Sequence, residues 1–197
     1  MHPAIAVLEF DSIARGIEAG DAMVKRSPLE VLRAGTVHPG RYLVLAGGPT
    51  AEVEEAVLAG RHVGADALVG LLVLPDVHPA VVAAVGGVRS GAGEALGVVE
   101  TRTVTAAIEA ADAGMKGAQV VLRELRLADE LGGKAYVLFG GPLSEVEAAV
   151  SHGVERITAG GQEVAHVVIS QLHAEMDENL LADPRFALRA AGLAKEG

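Results

Sequence analysis

Apolar and polar positions fall into short blocks whose period switches between that of a strand and that of a helix. Ala4–Phe10 is apolar but for one glutamate, the pattern of a strand covered on both faces. Residues 12–25 carry Ile13, Ile17, Gly20 and Val24 at spacings of four, three and four, which predicts a helix with that face inward. Residues 29–37 and 42–46 read as two strands joined by a turn containing His38, Pro39 and Gly40. Gly47-Gly48-Pro49 breaks the second strand and opens a helix with Val53, Val57, Gly60 and Gly64 as its inward stripe. Residues 67–74 make a last strand, stopped at Pro75, and Pro79–Val85 is a short apolar helix. The order β-α-β-β-α-β is that of a ferredoxin-like α/β (α+β) unit.

The pattern then starts again. VLEFDSIARGIEAGDAMVK returns as VVETRTVTAAIEAADAGMK, so that Val7 matches Val98 at an offset of 91. YLVLAGGPTAEVEEAVLAG returns as AYVLFGGPLSEVEAAVSHG, with Pro49 matching Pro142 at an offset of 93. LPDVH echoes ISQLH, with His78 matching His173 at an offset of 95. Slowly growing offsets are small loop insertions within one architecture, and two copies at this period are two tandem domains. The second copy of the helix face is Val104, Ile108, Ala111 and Met115. The chain divides into a first domain (residues 1–86), a Gly/Ser-rich linker expected to be flexible (87–95), and a second domain with a longer helical tail (96–197). Both copies have the same, unpermuted strand order.

Composition narrows the function. The formal net charge is −10 and no dense Lys/Arg cluster occurs, which argues against nucleic acid as a partner. The chain has no cysteine, so disulfides and thiolate-held zinc or iron–sulfur clusters are excluded. The first ten residues lack the basic and long apolar regions of a signal peptide, and no apolar run reaches the roughly 20 residues of a membrane helix. These features fit the cytoplasm. Seven histidines are scattered, none in a metal-ligand spacing, so no metal or cofactor is expected. The Gly-Gly-Pro turns match no phosphate-binding motif and read as strand-to-helix junctions. Glu9 and Glu100 stand at equivalent strand positions and call for a shared structural partner. Glu175, Asp177 and Glu178 read as a solvated helix start, and no acid–base or nucleophile constellation points to an enzyme. Asp21 with Lys25, and Asp112 with Lys116, repeat at helical spacing as ion pairs.

The stretch LGVVETRTVTAAIEAADAGMK resembles the opening of bacterial microcompartment (BMC) shell-protein domains, and the first copy fits more loosely. LPDVH and ISQLH resemble the family's I-P-R-P-H ending, with Asp76 and Gln171 where the family has Arg. The resemblance spans nearly the whole chain. Tandem domains imply the trimeric class, in which three chains form a pseudohexameric tile beside hexameric and pentameric shell proteins, in the shell within the cytoplasm. It implies tile-edge roles for Lys25, Lys116, His78 and His173. It also implies a central pore lined by Val37, His38, Pro39, Gly40, Arg41, Glu130, Leu131, Gly132, Gly133 and Lys134, passing small polar metabolites. The absent Arg alters the usual edge contact. The alternative is a trimeric regulatory protein that binds a small molecule on the same scaffold.

Overall fold

The structure is a computed structural model and describes residues 4–186. The first unit runs β1 (Ala4–Phe10), α1 (Ile13–Arg26), β2 (Val31–Val37), β3 (Arg41–Gly48), α2 (Thr50–Val63) and β4 (Leu68–Leu74), followed by α3 (Pro79–Val85). The second repeats it as β5 (Ala95–Thr101), α4 (Val104–Gly117), β6 (Val121–Leu127), β7 (Ala135–Gly141), α5 (Leu143–Ala159) and β8 (Val164–Ile169), followed by α6 (Ala174–Leu181). The sheets have the orders β2-β3-β1-β4 and β6-β7-β5-β8, antiparallel throughout. The β-α-β-β-α-β order is therefore present twice, unpermuted. His2 and the end of the C-terminal tail lie outside the described residues. No helix among the described residues is long and apolar enough to cross a membrane.

The period of two in β1 decides the core. Ala4, Ala6, Leu8 and Phe10 meet Ala19, Met23, Val53 and Ala56 of the covering helices. Ile5 and Val7 point the other way and join Leu72, Leu74, Val77 and Val81 with Val104 and Ile108 of the second unit in one cluster. The two domains thus share buried apolar surface, which is why β1 reads as apolar on both faces.

The expected inward face of α1 is corrected. Ile13, Ile17 and Val24 are exposed, and the buried positions are Gly16, Ala19, Gly20 and Met23. Small residues let the helix lie close on the sheet; a Cβ on Gly16 would stand 2.6 Å from the Tyr42 ring. On α4 the equivalents of Ile13 and Ile17, Val104 and Ile108, are fully buried, and Met115, which matches Val24, is partly buried, because the first domain covers them. The stripe legible in the sequence is covered by the other domain in the second copy and exposed in the first.

The segment 87–95 is anchored rather than loose. Ser90 donates its backbone N–H to the Arg123 carbonyl at 3.0 Å and its hydroxyl to the Leu122 carbonyl at 2.7 Å. Arg89 pairs with Glu124 at 3.0 Å. Gly93 runs so close to β7 that a Cβ there would collide with the Gly141 backbone nitrogen. Hydrogen bonding of the backbone, which composition does not reveal, fixes the path.

Candidate functional site

The contact between the two domains is built around Glu9, which is fully buried. Its Oε1 accepts from Arg41 at 2.6 Å and its Oε2 accepts from the Val104 backbone N–H at 3.0 Å. Val104 opens α4, whose first N–H groups have no partner within the helix. A carboxylate of the first domain therefore satisfies a helix N-terminus of the second and complements its dipole. Alongside, Gly70 lies against Thr105, and a Cβ at Gly70 would stand 2.5 Å from the Thr105 hydroxyl oxygen.

At the far end of α4, Asp112 is buried and accepts from the His78 backbone N–H at 2.8 Å. Lys116 pairs with Asp112 at 2.6 Å and also donates to the Asp76 carbonyl. The repeated Asp–Lys pair thus ties a helix of one domain to the loop leaving β4 of the other. Lys25 pairs with Asp21 at 2.5 Å in the open copy. His78 and His173 cap α3 and α6: each Nδ1 accepts the backbone N–H two residues on, from Ala80 at 3.2 Å and Glu175 at 3.3 Å. Asp177, expected as part of a solvated acidic patch, is committed to the buried Arg123 at 2.5 Å.

The two turns for which the resemblance implies a pore stand side by side. The Glu130 backbone N–H donates to His38 Nδ1 at 3.3 Å. Gly133 is buried against Pro39, at a left-handed φ of 88° that suits glycine. His38 to Gly40 form a tight turn closed by Gly40 N–H to Val37 carbonyl at 2.9 Å, with a cis peptide before Pro39. The second turn is longer and holds Ala128 and Glu130 at positive φ, an unusual conformation for side chains. Arg41 and Lys134 sit at matching places, on Glu9 and on Glu100 (2.8 Å). The shared partner expected for the two glutamates is thus a base at the start of the neighbouring strand. On β7, burial pushes the Tyr136 phenol above its ordinary value, and the Glu124 carboxylate adds to it.

Each feature of this boundary has a counterpart facing solvent. Glu100 is half exposed. Val167 and Ile169 are exposed where Leu72 and Leu74 are buried. Met176 of α6 is exposed where Val81 of α3 is buried. Ile13 and Ile17 are exposed where Val104 and Ile108 are buried. The tight pair Gly70 and Thr105 becomes Ala165 and Ala14, with bulk moved from one side to the other. Sequence reasoning singled out Glu9, Lys116 and His78 but missed Asp112 as a tie between domains and the Gly70–Thr105 fit. The repeat of Asp21 at Asp112 was a signal for the first; the Gly/Ala and Thr/Ala exchange signalled the second.

The BMC domain pattern matches residues 4–77 and 95–172. The chain is 39% identical over 177 residues to the bacterial microcompartment shell protein PduT of Citrobacter freundii, covering 89% of this chain and 96% of that one. A single stretch of 90 residues (45% of this chain, 89% of the relative) is 41% identical to the major carboxysome shell protein CsoS1A of Halothiobacillus neapolitanus. Among solved structures, a microcompartments protein from Desulfitobacterium hafniense DCB superposes with a TM-score of 0.79 at 37% identity, over 90% of this chain and 99% of that one. A fused permuted shell protein of the RMM microcompartment shares the fold, with a TM-score of 0.61 at 20% identity over 80% of this chain and 84% of that one. A duplicated domain pattern over most of the chain and a full-length relative agree: the chain belongs to the BMC-domain family, as a tandem-domain structural protein of bacterial microcompartment shells.

Proposed function

We propose that three chains close into a ring of six domains, a pseudohexameric shell tile with a central pore for small polar metabolites. The observation that carries this reading is the heterologous boundary inside the chain. One surface of the first domain (Glu9, Gly70, β4, α3) meets a different surface of the second (α4). The same two kinds of surface remain open at the ends, on β8 with α6 and on α1. Heterologous contacts repeat head to tail, and a rotation that divides the circle closes a ring. In that ring Glu100 accepts from the Ile13 N–H of the next chain, Ala165 faces its Ala14, and Gln171 and His173 face its Asp21 and Lys25. The exposed stripe of α1 is thereby buried.

Three copies of each turn then alternate around the axis. Val37 to Arg41 and Glu130 to Lys134 form the rim, and their charges and backbone groups set what passes. Lys25, Lys116, His78 and His173 lie together at the outer ends of the domain boundaries, where tiles abut. Asp76 and Gln171, in place of the family's Arg, tune how tightly this tile joins hexameric and pentameric neighbours. Microcompartments lie in the cytoplasm, and that is the location proposed for the chain. The regulatory alternative is disfavoured by the groove between the domains, which is lined mainly by aliphatic side chains and lacks convergent polar groups.

Light scattering after size exclusion tests the ring. The unmodified protein should have three times the mass of the 20.1 kDa chain. Ile17→Glu on α1 and Val167→Glu on β8 should each leave a folded monomer. A stable monomer of the unmodified protein would sink the proposal.

A further inference from the structure

The pseudosymmetry that relates the domains also relates what covers them. On the second domain a cavity lies beside α6, lined by Glu124, Leu138, Leu180 and Leu181 and bordered by residues 89–91 of the interdomain segment. Arg89 spans it, pairing with Glu124 at 3.0 Å and donating to the carbonyls of Leu180, Leu181 and Ala182. The matching groove beside α3 lies between the domains, reaching Val104 and Ile108 of α4 and Leu127, and has Arg33, Leu45, Val85 and Gly86 in those places. It measures about 380 Å³, and among the described residues no counterpart of residues 89–91 borders it.

We infer that the segment following α6 of a neighbouring chain closes this groove, with Phe186 entering it and Asp183 pairing with Arg33. The inference rests on the trimeric ring proposed above and adds to it a strap between chains. Counted from the matched His78 and His173, residues 183–186 stand where residues 88–91 stand after α3. The chemistry matches groove by groove. Arg89 and Gly91 border a cavity holding Arg123 and Glu124, whereas Pro184 and Phe186, at the same places in the count, would lie over one made of Ile5, Val7, Leu43 and Leu45. The charges are exchanged as well: Arg89 on Glu124 within the chain, Asp183 on Arg33 between chains. Phe186 is 84% exposed, the most exposed large hydrophobic residue among those described. Arg33 has no carboxylate partner among the described residues and donates only to the Leu32 carbonyl. Asp183 now pairs with the nearby Arg185 at 2.7 Å, an exposed contact that is given up at little cost.

The chain has no cysteine, so Arg33→Cys with Asp183→Cys reports this contact alone. After oxidation, non-reducing electrophoresis should show covalent species up to three chains, while each single variant stays at one chain. If the double variant stays at one chain while light scattering reports a trimer, the strap is wrong and the ring stands. If light scattering reports a monomer, both fall. Phe186→Asp should keep the trimer mass and speed subunit exchange between tagged and untagged trimers by about tenfold or more, since lost interface contacts act mainly on dissociation. Exchange at the unsubstituted rate overturns the place given to Phe186.

Discussion

Two glutamates in equivalent positions have different surroundings, and the difference is one of burial. Glu9 holds a helix N–H and a guanidinium with no access to water, so Glu9→Ala should cost about 3 kcal/mol, read as a shifted urea midpoint. Glu100 is half exposed and its pair with Lys134 is screened, so Glu100→Ala should change the fold's stability by less than about 1 kcal/mol while weakening the trimer. The glycine at position 70 is set by its neighbour. Gly70→Ala should destabilise by about 1–3 kcal/mol through overpacking on Thr105. Adding Thr105→Ala should restore most of that loss in a double-mutant cycle, because Ala165 and Ala14 already form this combination. None of these contacts was visible as a contact in the sequence. What was visible was the repeat of Glu, Asp and Lys at matched positions, which demanded a common structural role.

Helices and strands were legible because their apolar periods are strong and occur twice. The face of α1 differs from the expectation, since periodicity marks an apolar stripe and not what covers it. Ile17 and Ile108 make this measurable. Ile108→Ala should cost about 2–5 kcal/mol at any protein concentration, because the covering domain belongs to the same chain. Ile17→Ala should leave the isolated chain nearly unchanged, with a loss seen only where the ring is populated, so its thermal midpoint should depend on concentration. The interdomain segment also differs from the expectation of a flexible linker. Gly and Ser at high density suggest freedom, but Ser90 and Gly93 are selected by hydrogen bonding and close approach to the second sheet. The paired turns follow the same logic. Their placement came from family resemblance, and their mutual contact, Glu130 N–H to His38, is a product of the domain arrangement that no local signal encodes.

At the scale of the molecule, tandem duplication places a head-to-tail contact between domains inside one chain. A BMC domain with one surface unsatisfied at each end cannot bury its α1 stripe alone. Fusing two domains fixes one boundary covalently and lets the two copies diverge, as the turn HPGR and its counterpart LGGK have done. The ring proposed here requires that the boundary between chains repeat the boundary within the chain. A high-resolution structure of the assembled particle measures this directly. It should place the Glu100 carboxylate within about 3 Å of the Ile13 backbone N–H of the next chain, with Ile17 buried against β8. A particle in which α1 faces solvent, or in which two α1 stripes meet across a two-fold axis, would contradict it.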